Sequence, residues 1–325
     1  MLNNFRFWIL VFALASGSLL SATANASQLP PFPEISQGAE PVWVSDPRLQ
    51  FRRTDFLSRR GRGATAEEAV RAAYDKILQL YRVAEAGALP PEIDEALTVA
   101  GIWHDSANNE YRAIITLKQK AAENYLRAQI RALDKATREL LDRVKDEQEA
   151  IVKLGLVAKA EQLQSERAAW QKSMKKIDVT GQGIRAKWSA KKLNEEIDLI
   201  ITGLAIQPAG GASDIAPDVM ANMITRGLKV AGISAASAER ADYILKGRLS
   251  VSHAPDESGW MGGLGTLDVE LFRKDEEQPV GSYRWDINVL HIYPETAERR
   301  VVEKAEYLLK KEMRDVLITI ALTQI

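Results

Sequence analysis

The chain has 325 residues, with 43 Lys and Arg against 44 Asp and Glu for a formal charge of −1, and no cysteine. Near-neutrality gives no electrostatic case for nucleic acid or anionic lipid as partner. The lack of cysteine excludes a disulfide framework, a cysteine nucleophile, a thiolate metal site and a lipid-attachment cysteine.

Residues 1–26 read as a cleavable signal peptide. Arg6 is followed by an uncharged run from Phe7 to Leu20. Small residues then close the segment, and Ala24-Asn25-Ala26 gives the small-x-small pattern that places cleavage before Ser27. The apolar run is shorter than the roughly 20 residues a spanning helix needs. No later stretch is long and apolar enough to span a bilayer, so the expected location is the periplasm, without lipidation. Removing the leader takes away one arginine and leaves a net charge of −2 on 299 residues, enough for two domains of roughly 100–200 residues each.

Residues 27–41 carry Pro30, Pro31, Pro33 and Pro41 and read as an extended linker. A first α+β domain is expected over 42–118. Its basic stretch (Arg52, Arg53, Arg59, Arg60, Arg62) ends at Gly61-Arg62-Gly63. Thr65 and Glu68 then form a capping box, and the helical spacing of Ala69, Ala73, Ile77, Leu80 and Tyr81 predicts a helix over 65–83. Val99 to Trp103 and Tyr111 to Leu117, either side of the polar turn 106–109, predict a hairpin.

From Gln119 to Lys176 the composition is strongly helical, and Gly155 is the single glycine. Polar breaks in the apolar stripe argue against a strong coiled coil, so 119–177 reads as either a long strut or a helical pair bent near Gly155. Residues 178–194, with Gly181 and Gly183, read as a hinge. The second α+β domain, 195–325, opens with an apolar strand over Ile197–Ile206. A helix with Pro217 in its first turn follows. Three strands then alternate with period 2: Tyr243 to Val251, Leu267 to Leu271, and Tyr283 to Val289. A final helix from Glu295 carries an apolar stripe that can cover the dry face of the sheet. The expected fold class is α+β: two small α+β domains, each an antiparallel sheet packed by helices, joined by a long helical region.

Chemistry is sparse. The three histidines, His104, His253 and His291, belong to no metal-ligand or catalytic spacing, so no metal, no cofactor and no catalytic residue is expected. Trp103-His104-Asp105 reads as a core tryptophan followed by turn-proximal polar residues; a hydrolase reading would rest on His104 and Asp105 alone. The segment Gly259-Trp260-Met261-Gly262-Gly263-Leu264-Gly265 lacks the lysine and following helix of a phosphate cradle. It reads as a mobile connection in which Trp260 and Met261 are candidates for binding a partner. Arg59, Arg60 and Arg62 are the other partner-binding candidates, set against their reading as a charged strand edge.

Two resemblances bear on function. Pro41-Val42-Trp43, Gly61-Arg62-Gly63-Ala64 with its alanine-rich helix, Ile102-Trp103-His104-Asp105 and Tyr111-Arg112-Ala113-Ile114-Ile115 are similar to the lipoprotein-20-like envelope family over residues 41–135. Relatives of that family include the N-terminal part of the flagellar T-ring assembly protein. Ala241 to Leu249 resembles a strand of envelope assembly proteins, among them penicillin-binding-protein activator lipoproteins, the curli secretion lipoprotein and the Tol-Pal translocation protein. The resemblances imply a non-enzymatic Gram-negative envelope protein that acts on other proteins. A glycan- or small-ligand-binding module is the alternative, with Trp260 as a stacking surface.

Overall fold

The computed structural model describes residues 29–81, 89–255 and 261–325. The proposed leader, with Ala24, Ala26 and Ser27, lies outside them, as does Trp260. The described residues fall into two compact units, divided between Ala122 and Glu123. Among the described residues, no helix is long and apolar enough to cross a membrane.

The first unit is a four-stranded sheet in the order β1-β3-β4-β2. Its elements are β1 (Ile35–Ser36), α1 (Val42–Ser45), α2 (Pro47–Gln50), β2 (Phe56–Gly63), α3 (Ala66–Tyr81), α4 (Pro91–Asp94), β3 (Leu97–Asp105) and β4 (Glu110–Lys118). The capping box forms: Glu68 N–H donates to Thr65 Oγ1, and Glu68 Oε2 accepts from the amides of Ala64 and Thr65. Behind that cap α3 buries Ala69, Ala73, Ile77 and Leu80 against one face of the sheet. Gly61 permits this approach, since a Cβ there would lie 1.9 Å from the Ala69 carbonyl oxygen. On the other face Trp43 and Val44 of α1 pack on Trp103 and Ile114. The proline-rich segment contributes more than a tether, because Ile35 and Ser36 add β1 parallel to β3.

The second unit carries most of α5 (Gln119–Asp146), then α6 (Ala150–Ile177), α7 (Ala190–Thr202), β5 (Ile206–Gly210), α8 (Pro217–Val230), β6 (Tyr243–Pro255), β7 (Met261–Arg273), β8 (Pro279–His291) and α9 (Pro294–Leu322). The sheet order is β5-β6-β7-β8. The three period-2 strands and the closing helix form as expected. Leu245, Leu249, Leu267, Val269, Leu271, Trp285 and Ile287 turn inward and are covered by α8 and α9.

The α+β class holds, with four differences in detail. Both sheets are mixed, because β1 pairs parallel with β3, and β5 pairs parallel with β6 across the crossover through α8. The expected strand over Ile197–Ile206 is mostly helix α7; the run of isoleucines is β-like in propensity, but Leu193, Ile197 and Ile201 recur every four residues, all are buried, and Ser189 caps the helix start. The helical region breaks at Glu147–Glu149, not near Gly155: the Glu147 carboxylate accepts the amides of Gln148 and Glu149, a side-chain alternative to the helix ladder. Gly155 instead sits inside α6 against α9, where a Cβ would come within 2.3 Å of the Ala321 carbonyl oxygen. Finally, Met261 to Gly265 belong to β7 and are not a mobile connection; a Cβ at Gly263 would lie 2.8 Å from Ala297 O, and one at Gly265 would lie 2.3 Å from Val301 Cγ1. These glycines seat the start of α9 on the sheet.

Of the two polar breaks in the helical stripe, Glu147 marks the helix break and Thr137 joins a buried network between α5 and α6. Gln164 donates to Thr137 Oγ1 (2.8 Å) and Asp134 (3.3 Å), and Arg167, 2% exposed, donates to Asp134 (2.7 Å). Arg167 also reaches the carbonyls of Ile184 and Arg185, and Gln171 reaches that of Gln182. The segment read as a hinge is therefore tied onto α6, and its last five residues begin α7.

Replacing Gly155 with Ala should force α6 and α9 apart and lower the stability of the second unit by about 1–3 kcal/mol. Urea unfolding followed by the indole NMR signal of Trp285 measures this. An unchanged midpoint would mean that the close approach is not needed.

Candidate functional site

Two surfaces, one on each unit, stand out from an ordinary solvated exterior. In the first unit β2 is an edge strand whose residues alternate between the two faces of the sheet. Arg59 shares the face of Gly61, toward α3, and donates to the Ser58 carbonyl (2.8 Å). Burial, with Arg53 nearby, pushes its guanidinium below the usual arginine range. Arg60 and Arg62 lie on the opposite face. At the open edge of β2, between α1 on one face and α3 on the other, a cleft of about 380 Å³ is lined by Trp43, Val44, Arg60, Gly61, Arg62, Ala72, Lys76 and Arg112. Lys76 Nζ donates to Arg60 O (2.7 Å), Arg60 donates to Val44 O, and Arg112 pairs with Glu110 (3.1 Å) and lies over the Trp103 ring. The three arginine candidates are thus divided, with Arg60 and Arg62 in the cleft and Arg59 behind it. Lys76 and Arg112 join them only through the fold, because they come from α3 and β4.

His104 and Asp105 form turn architecture. His104 stacks on its cross-strand partner Tyr111, ring centroids 4.4 Å apart. The Asp105 carboxylate accepts from the side chain of Asn108 (2.8 Å) and from the amides of Ala107 and Asn108. These bonds, led by the one from the Asn108 side chain, hold its pKa below the usual carboxylate value. Its hydrogen bonds therefore close the β3–β4 turn, where the hydrolase reading needs them on the imidazole. Among the described residues, no group of His, Asp and Glu could hold a metal ion.

In the second unit the face of the sheet away from α8 and α9 is wet. Arg248 pairs with Glu270 (2.8 Å), Arg284 with Asp268 (2.6 Å), and Lys246 lies over Phe272. Toward the end where β7 begins and β8 finishes, that pattern fails. Leu264 and Leu290 point outward and are left exposed, and they are diagonal neighbours, because Leu290 faces Gly262 across the ladder. Ile292 and Tyr293 follow directly. The four are 44%, 51%, 60% and 65% exposed. Met261 opens β7 at this same end of the sheet. The sequence signal for this patch, Leu264 and Leu290 among period-2 polar positions, was present but lay beyond the stretches that define the strands.

No family model and no curated protein matches the chain. Among solved structures, a secreted protein from Helicobacter pylori is 11% identical, with 80% of this chain and 97% of that one covered at a TM-score of 0.39. A candidate lipoprotein from Caulobacter crescentus is 15% identical (40% and 96% covered, TM-score 0.27). A DUF330 protein from Xanthomonas campestris is 17% identical (37% and 85% covered, TM-score 0.24). With these three scores below 0.5, the functional reading rests on this chain's own surfaces.

Because Asp105 is a carboxylate of depressed pKa, its contribution to stability is complete above the unfolded value near about pH 3.9 and disappears as pH falls through the folded value. Asp105→Asn should therefore destabilise the first unit at pH 7 and flatten its loss of stability in acid. Thermal unfolding from pH 7 to pH 2.5 reads this out, and a variant whose acid limb parallels the parent's would contradict it.

Proposed function

We propose that the chain is a non-enzymatic protein of the Gram-negative envelope, exported to the periplasm by its leader, that works by binding another envelope protein through the apolar end of its second unit. The observation that carries this reading is the outward pair Leu264 and Leu290, continued by Ile292 and Tyr293, at the end of a face that elsewhere is mostly polar and whose outward Phe272 is buried beneath Lys246. Exposed apolar side chains gathered at one place, bordered by polar residues, mark sites of association. Tyrosine and leucine supply the contact area, and the flanking polar positions supply a rim. The resemblance of residues 41–135 and of the Ala241–Leu249 strand to envelope proteins supports the location and the kind of partner.

The leader reading is tested by the N-terminus of the protein recovered from the periplasm, expected at Ser27. The binding reading is tested in cells. A photo-crosslinking residue at position 293 should yield one dominant adduct with an envelope protein, and Leu290→Glu should reduce that adduct at least several-fold while leaving the protein's abundance unchanged. Failure to form an adduct in abundant, folded protein, or an adduct indifferent to Leu290→Glu, would remove this surface from the account.

A further inference from the structure

We propose that the cleft of the first unit is a second, separate binding site, and that it takes an oxyanion: a carboxylate or phosphate group carried on a small ligand. Every charged residue lining the cleft is a cation: Arg60, Arg62, Lys76 and Arg112. The adjoining carboxylates, Asp105 and Glu110, both pair with Arg112, at 3.5 and 3.1 Å. Arg60, Arg62 and Lys76 therefore remain as uncompensated charge. Arg60 donates to Val44 O and Lys76 to Arg60 O, which orients both side chains and leaves each with further donors.

Arg62 is the residue that internal structure does not explain. It is exposed, and among the described residues it makes no hydrogen bond and no ion pair. It also stands directly opposite Arg112 in the β2–β4 ladder, and the two carboxylates there, Asp105 and Glu110, are taken up by Arg112 and not by Arg62. Protection of the strand edge does not account for it, because Arg59 already covers the outward carbonyl of Ser58 and Lys76 that of Arg60. An oxyanion seated between Arg62, Lys76 and the remaining donors of Arg112 gives the unpaired cations charge-assisted hydrogen bonds, and arginine's planar fork suits a carboxylate or phosphate group. The cleft volume of about 380 Å³ falls within the range of roughly 300–1,000 Å³ typical of small-ligand pockets and is too small for a polymer to fill in depth. Trp43 supplies an apolar wall for the body of the ligand.

The test uses the full mature chain at low ionic strength, with inorganic phosphate, glucuronate and glucose as probes, followed by calorimetry and by amide shifts in NMR spectra. At least one of the two anions should bind and shift the amides of residues 60–63 and 112, with affinity falling as salt approaches about 0.15 M, while glucose does nothing. Binding of phosphate alone assigns a phosphate ester as the natural group, and binding of glucuronate alone assigns a carboxylate. Arg62→Glu, at an exposed position, should keep the parent's thermal unfolding and weaken binding about tenfold or more. Lys76→Gln should weaken it less, and Leu290→Glu in the other unit should leave it unchanged. Neither anion binding, glucose binding equally well, or Arg62→Glu retaining full affinity would each overturn the proposal.

Discussion

The second unit depends on one packing arrangement: α9 laid along the dry face of the β5–β8 sheet. Val301, Ala305, Leu309, Met313, Val316 and Ile320 turn one stripe of α9 toward the strands and are fully or almost fully buried. Burying such a stripe is the dominant favourable term in folding, at about 25 cal/mol for each Å² of apolar surface removed from water. The arrangement also dictates where glycines are needed. Gly263 and Gly265 let the start of α9 settle on β7, Gly227 lets α8 lie against Leu309, and Gly155 lets α6 lie against Ala321. A helix covering only one face commits the other to water, and this is why Lys246, Arg248, Asp268, Glu270 and Arg284 occupy it. Against that constraint the two outward leucines stand apart from Phe272, which Lys246 covers, because they are left exposed, and positions that break a local pattern are where function is expected.

The first unit follows the same logic with the opposite polarity. Its core needs small residues on β2, because α3 approaches closely enough that only Gly61 and Gly63 fit beneath Ala69. That leaves β2 with arginines on its other face and along its edge. Arg59 and, from α3, Lys76 cap carbonyls that an unpaired edge would expose, and Arg60 donates to Val44 O. Arg62 is left over, beside Arg112, at the mouth of a cleft.

Local patterns were legible in the sequence, and their assembly was not. The Thr65–Glu68 capping box, the three alternating strands and the closing helix could be read because each depends on residues within a few positions of one another. The α7 segment misled because Ile197 to Ile201 has strand-like propensity, and only the four-residue spacing from Leu193 marks it as helical. Gly155 was visible as an oddity, but its role depends on Ala321, 166 residues away. Thr137 and Glu147 appeared as flaws in an apolar stripe; one is a partner for the buried Gln164 and the other breaks the helix. The cleft was only half legible: Arg60 and Arg62 stand out in sequence, whereas Trp43, Lys76 and Arg112 are brought to them by three different elements. Trp260, the most conspicuous residue of the glycine-rich segment, lies outside the described residues, and the apolar patch beside that segment rests on Leu264 and Leu290 instead.

Hydrogen–deuterium exchange of the mature protein, with and without a solubilised envelope fraction from its own cells, reads out binding through the apolar end of the second unit. Slowed exchange is expected in the first residues of β7, the last residues of β8 and the turn through Tyr293, with the rest of that sheet unchanged. Protection confined to other parts of the second unit, or none at any concentration of the fraction, would contradict it.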